Sequence, residues 1–163
     1  MKHILLPCPP AVRSLLSQLK KAAAGAYPVG GCVRDALMGL DPHDWDVAVT
    51  TIPEETMRLC KSFGYRVIPT GIQHGTVTVL TDDGPVECTT CRTEGGYSDG
   101  RHPDGVSFTG KLTDDLSRRD FTVNAMAYHP EKGLVDLYGG REDLQDKRLR
   151  CVGDAPERLT EDA

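Results

Sequence analysis

Apolar positions recur along this chain in two rhythms, one near three and a half residues and one of two, and their succession predicts the order of elements. Over residues 11–24, Val12, Leu15, Leu16 and Leu19 share one helical face opposite Arg13, Gln18 and Lys20, an amphipathic helix that packs on a sheet and that Gly25 ends. Residues 27–29 read as the end of a short strand, and residues 32–39 as a short helix with Gly39 as its stop signal. Residues 45–49 (W-D-V-A-V) read as a buried strand. A third helix is predicted over residues 53–63. Pro53 suits its first turn, Thr50 or Thr51 can cap it, and Met57, Leu59, Cys60 and Phe63 face the core. Residues 65–68, 76–81 and 86–91 are short β-rich runs separated by glycine, proline and aspartate, which predicts an antiparallel meander. Residues 92–105 hold four glycines and no apolar period, a long loop that is either a lid or a solvated surface. Next come a helix at 112–116, a polar corner at Arg118, Arg119 and Asp120, and a second helix over 121–127 with Val123, Met126 and Ala127 inward. A strand at 134–137, a Gly139-Gly140 turn, a charged helix through Lys147 and a final strand at 149–152 complete a domain spanning 1–153. Asp154 with Glu157 three residues on is a capping-box pattern, so residues 154–163 read as the start of a helix that is cut short.

Composition narrows the class. A chain of 163 residues has room for one domain with a real core. Lys+Arg 19 against Asp+Glu 24 gives a net charge of −5, so no bulk electrostatic pull on nucleic acid is expected, and any RNA contact must come from local basic patches or from chain missing here. No run approaches bilayer-spanning length and none has the form of a signal peptide, so a cytoplasmic protein is expected. The six cysteines fit that compartment as small buried hydrophobes. Cys88 and Cys91 have the spacing of half a zinc site, but they fall in an apparent strand and lack a second ligand pair.

The candidate chemistry is concentrated between Val29 and Asp46. Strand, glycine pair (Gly30, Gly31) and helix start place backbone N–H groups at the positive end of a helix dipole, where an anion binds and where the missing Cβ lets it approach. Arg34, one turn in, leans back towards the same point, so the cradle suits a phosphate. Asp44 and Asp46 stand two apart at a strand entrance and share one face, a spacing at which two carboxylates converge on one cation. Mg²⁺ takes one or two carboxylates and completes its shell with water and substrate phosphate, which makes a nucleoside triphosphate the natural ligand. Taken singly, the glycine pair is an ordinary tight turn and the D-x-D an ordinary cap or solvated turn; the combination carries the reading. Glu87, alone among Val86, Cys88 and Thr89, is either a polar-face residue or a third ligand. Arg118, Arg119, Asp120 and Asn124 are either a surface ion-pair patch or the donors that hold a ribose and a triphosphate.

Four motifs in order resemble one family: Gly30-Gly31-Cys32-Val33-Arg34-Asp35 with Asp44-Trp45-Asp46, Arg118-Arg119-Asp120-Phe121-Thr122-Val123-Asn124-Ala125, Asp136-Leu137-Tyr138-Gly139-Gly140, and Glu161-Asp162. They resemble the class II tRNA nucleotidyltransferases, the CCA-adding enzymes and bacterial poly(A) polymerases, over residues 27–163. The resemblance implies an α+β, polymerase β-like head: a mixed, mostly antiparallel sheet of about five strands with helices packed on it. It implies that Asp44, Asp46 and Glu87 bind two Mg²⁺ ions, and that Gly30, Gly31 and Arg34 hold the triphosphate of CTP or ATP. Arg119, Asp120 and Asn124 would hold the ribose and phosphate side, and Asp162 would read the base. The segment Thr70-Gly71-Ile72-Gln73-His74-Gly75-Thr76 resembles the CCA-adding subgroup more than the poly(A) polymerases, so nucleotide addition to the tRNA 3′ end is the expected reaction. His74 either supports the third carboxylate or is structural, and residues 93–105 correspond to the family's mobile loop.

One departure bears on activity. The family's base-reading motif continues to an arginine three residues after its Glu-Asp, and this sequence stops one residue after Asp162. Base choice and tRNA binding are therefore expected to be weak in this chain, and a nucleotide-binding module without turnover is the alternative reading.

Overall fold

Helix α1 (Pro10–Lys21) buries Val12, Leu15, Leu16 and Leu19, the stripe its sequence period predicts. Its first turn is capped from a distance, the Ala11 N–H donating to Asp83 Oδ2 at 2.8 Å. It ends before Gly25: Ala23 takes the left-handed conformation (φ 62) while the N–H groups of Ala23 and Ala24 return to the carbonyls of Lys20 and Leu19. Gly25 serves a close approach instead, because a Cβ there would stand 2.8 Å from Thr50 Cγ2. The computed structural model describes residues 6–94, 106–129 and 132–153. Most of the predicted glycine-rich loop, the helix from Asp154 and Asp162 itself lie outside the described residues.

The chain continues through β1 (Ala26–Pro28), α2 (Gly31–Leu37), β2 (Trp45–Val49) and α3 (Pro53–Ser62). The meander follows as β3 (Arg66–Gly71), a 3₁₀ turn (Ile72–His74), β4 (Thr76–Thr81) and β5 (Gly84–Thr90). Neither Thr50 nor Thr51 caps α3. Thr50 Oγ1 accepts the Gly25 N–H, and Thr51 is hydrogen-bonded to the buried Thr56 hydroxyl. Five strands make one sheet in the order β1-β2-β5-β4-β3, in which only β2 and β5 run parallel. This is the mixed, mostly antiparallel sheet expected.

Because side chains alternate along a strand, the sheet has a dry face and an open one. Val47, Val49, Val77, Val79, Val86 and Cys88 turn inward to the leucines of α1 and to Leu59 and Cys60 of α3. Each large side chain so buried contributes about 1.5–3 kcal/mol. The register puts Asp46 beside Glu87 and Glu87 beside Thr78, so these three share the other face. Cys88 belongs to this core, whereas Cys91 belongs to a smaller cluster with Val29, Ala48, Leu116 and Ala127.

The remaining elements are β6 (Arg92–Glu94), β7 (Val106–Phe108), α4 (Leu112–Ser117), a 3₁₀ turn (Thr122–Asn124), β8 (Ala127–His129), β9 (Gly133–Val135) and α5 (Gly140–Gln145). The helix predicted over 121–127 is thus one tight turn followed by a strand. Long-range pairing overrides its helical spacing: Thr122 N donates to Arg150 O, Val29 bridges Ala127, and β8 pairs with β9. The strand predicted over 149–152 reduces to a single bridge between Phe121 and Cys151, with Leu149 69% exposed.

Candidate active site

Asp46 is the second residue of β2 and Glu87 its register partner in β5. Parallel neighbours stand about 4.8 Å apart, so two carboxylates on one face are forced together. Asp46 keeps an exposed edge but lies against the sheet, and its pKa is raised first by that partial desolvation and then by the negative charge of Glu87. Asp44 adds to the rise, a hydrogen bond that protonated Asp46 donates to Glu87 adds further, and Arg119 opposes it. The structure therefore brings Asp46 and Glu87 together, with the exposed Asp44 at the mouth of the strand. No three acidic, histidine or cysteine side chains among the described residues form a ready-made metal cage. The donor set nevertheless fits a hard divalent cation: the charge of Glu87 facing Asp46 raises the proton affinity of Asp46, a bound cation discharges that repulsion, and Mg²⁺ needs few protein ligands when phosphate supplies the rest.

The glycine pair lies beside these carboxylates through the Cys32 thiol. Cys32 Sγ donates to Val29 O at 3.3 Å and to Asp46 O at 3.7 Å, fastening the head of α2 to the strand that carries Asp46. Burial pushes that thiol's pKa up to about 11, so it is a fastening and not a nucleophile. Gly30 has φ 75 and ψ −134, a conformation glycine alone adopts without strain. Its N–H is not free for an anion, as the sequence suggested, because it donates to Met126 O at 3.1 Å. What Gly30 provides is space: a Cβ there would lie 3.2 Å from Arg119 Nη1.

On the far side of the glycines three of the predicted nucleotide residues, Arg34, Asn124 and Asp120, form one network. Arg34 donates through Nη1 to Asn124 Oδ1 at 2.7 Å and through Nε to Asp35 at 3.0 Å. The amide nitrogen of Asn124 reaches Asp120 Oδ1 at 3.5 Å, and that oxygen also accepts the Phe121 N–H at 2.6 Å. Arg118 and Arg119 each place Nη2 3.0 Å from a different oxygen of Asp115, a carboxylate only 1% exposed. The paired arginines are accordingly no loose surface patch. Sequence reasoning missed Asp115, although its position three and four residues ahead of two arginines at the end of a predicted helix was the available signal. Guanidinium crowding extends to Arg92, whose pKa is held below its ordinary value by burial and by the charge of Arg118.

Two further carboxylates support the site from behind. Asp136 accepts the N–H groups of Gly140 and Arg141 at 2.7 and 3.0 Å and so caps α5. Asp143, 2% exposed and also missed, accepts from the Thr122 hydroxyl at 2.6 Å and from Arg150 Nε at 2.9 Å. Those two donors, the hydroxyl first, hold its pKa below the usual carboxylate value. Between them they anchor the 3₁₀ turn that presents Asn124. The His74 side chain is exposed, while its carbonyl accepts from Arg92.

A sequence profile described as the poly A polymerase head domain matches residues 26–150. The CCA-adding enzyme of Latilactobacillus sakei is 47% identical over 149 residues, which are 91% of this chain and 36% of that protein. A crystal structure of Bacillus stearothermophilus CCA-adding enzyme in complex with CTP superposes with a TM-score of 0.81 at 35% identity, covering 95% of this chain and 37% of the other. A tRNA nucleotidyltransferase complexed with a primer tRNA and an incoming ATP analog superposes at 0.70 with 32% identity, over 90% of this chain and 40% of that one. The chain thus spans little more than a third of the length of these relatives. With a mixed five-stranded sheet, facing carboxylates on its open side and a glycine-led helix beside them, the chain belongs to the poly A polymerase head domain family and has its polymerase β-like nucleotidyltransferase fold.

Proposed function

We propose that this chain is the catalytic head of a template-independent nucleotidyltransferase that adds CTP- and ATP-derived nucleotides to the 3′ end of tRNA. The observation that carries the reading is the pairing of Asp46 with Glu87 across the parallel β2–β5 junction, one glycine turn away from the cluster of Arg34, Arg119 and Asn124. Asp44, Asp46 and Glu87 would hold Mg²⁺, which supplies Lewis acidity to the attacking 3′-hydroxyl and to the departing pyrophosphate. The chain's own groups do the rest. Arg34 and Arg119 set positive charge where the triphosphate gains negative charge. Asp120 and Asn124, tied to each other and to Arg34, face the ribose side. Gly30 and Gly31 keep the approach clear of side chains. Residues 154–163, with Asp162, would open the neck that reads the base.

The relatives' identities of 35% and 47% over almost the whole chain support transfer to tRNA ends. The test is incubation of the protein carrying this chain with Mg²⁺, labelled CTP and a tRNA lacking its terminal nucleotides. Extension of the tRNA is expected. In Asp46→Ala, transfer is expected to fall by about 10³-fold while the fold survives, since losing one of two facing carboxylates removes repulsion from the native state. Transfer near the parent level in that variant would discard the metal assignment. Binding of CTP with no labelled product would favour a nucleotide-binding module.

A further inference from the structure

We infer that Asp115 is a positioning residue, a buried carboxylate that sets Arg118 and Arg119 in their receiving geometry before a nucleotide arrives. The inference rests on the reading that Arg119 meets the triphosphate, and it assigns a cause to that residue's orientation. Asp115 lies in the last turns of α4, 1% exposed, with both oxygens engaged. Oδ1 accepts from Arg118 Nη2 at 3.0 Å and from the Arg92 N–H at 3.4 Å, and Oδ2 accepts from Arg119 Nη2 at 3.0 Å.

A guanidinium is a rigid planar fork, so holding one nitrogen largely fixes where the others point. With Nη2 fixed on Asp115, Arg119 turns Nη1 to within 3.2 Å of the space above Gly30, on the cradle itself. Its Nε–H is buried with no acceptor among the described residues, which hold this group by one edge only.

Charge argues the same way. The guanidiniums of Arg118 and Arg119 bond Asp115 directly, and the charge of Arg92 acts on it from close by. A single carboxylate among them relieves enough repulsion to let the guanidiniums stand together, yet leaves net positive charge to face a polyanion. A side chain already ordered when the ligand arrives loses less entropy on binding, so the effect should appear in affinity for the phosphates in particular.

The test compares CTP with CMP binding by calorimetry in the parent protein, Asp115→Asn, Arg119→Ala and the double variant. Asp115→Asn is expected to weaken CTP by about tenfold and CMP by less than about twofold, and to add less than about twofold once Arg119 is alanine. Equal weakening of CTP and CMP, or an undiminished effect in the Arg119→Ala background, would show a merely structural role and overturn the inference. Arg119→Ala with unchanged CTP affinity would remove the reading of Arg119 and the inference with it. Loss in Arg119→Ala without loss in Asp115→Asn would overturn the inference alone. Should Asp115→Asn not fold, the unaltered protein decides: with ¹⁵N-labelled arginine, the Arg119 guanidinium, assigned through Arg119→Lys, is expected to rotate slowly without nucleotide. Fast rotation would refute the positioning role.

Discussion

Gly140→Ala puts the strongest demand on the packing behind the site. A Cβ at Gly140 would stand 2.2 Å from Thr122 O and 2.8 Å from Thr122 C, with Met126 Cγ at 3.1 Å. A carbon and a carbonyl oxygen rest at about 3.3–3.6 Å, so α5 and the 3₁₀ turn must separate by roughly 1 Å. The obstacle is backbone, and no side-chain rotation can relieve it. Overpacking of this kind costs about 1–3 kcal/mol, and loosening the Thr122–Asp143 hydrogen bond adds about 1 kcal/mol. Two to four kcal/mol in a domain of this size lowers Tm by about 5–15 °C. The same displacement moves Asn124 off Arg34, whose bond is 2.7 Å long, so CTP affinity should fall in parallel. Thermal unfolding with and without CTP measures both effects. Gly110→Ala is the control: a Cβ there meets nothing within 4 Å, and Tm should change by no more than about 1–2 °C. A Gly140→Ala variant that melts within about 2 °C of the parent would refute the argument from backbone approach.

Two further outcomes follow from named groups. Asp143 has its pKa lowered by the Thr122 hydroxyl and by Arg150, so its stabilisation is full above the ordinary value of 3.8 and fades as pH falls through the lower folded value. Asp143→Asn should therefore cost about 1–2 kcal/mol near neutral pH, Arg150 being half-exposed and screened, and the gap in urea midpoints should narrow as pH falls below 3.8; a gap independent of pH would exclude the linkage. Among the thiols, burial pushes Cys8, Cys32 and Cys60 up to about 11 and Cys91 to about 12, while Cys151 is partly exposed. Ellman's reagent should label Cys151 first and the five buried thiols only on unfolding, and rapid native labelling of Cys91 mapped by mass spectrometry would contradict the core assignment.

Much of this molecule is written in local pattern. The leucine stripe of α1, the β-branched runs of the meander and the glycine-led start of α2 depend on neighbours within a turn or a strand, and they form where their periods place them. Where local pattern failed, a distant partner had outbid it. Residues 121–127 have a helical apolar period but form a tight turn and a strand, because β9, Val29 and Arg150 offer them backbone bonds that helix formation would forgo. Ala23 takes the left-handed cap that Gly25 appeared to offer, because Gly25 is occupied against Thr50.

The sequence by itself marked the candidate residues: Asp44 and Asp46 by their spacing, Gly30, Gly31 and Arg34 by their place at a helix start, and the rest through motifs that resemble a known family. Tertiary structure alone decided that Glu87 faces Asp46, since that depends on the register of two strands far apart in the chain. It also decided that Gly30 spends its N–H on Met126, and that Asp115, marked in the sequence only by its spacing from the two arginines, holds both of them from inside the protein. Spacing along a chain specifies which side chains share a face of one element, whereas their partners across elements are specified only when the core closes and burial leaves each polar group the partners within reach.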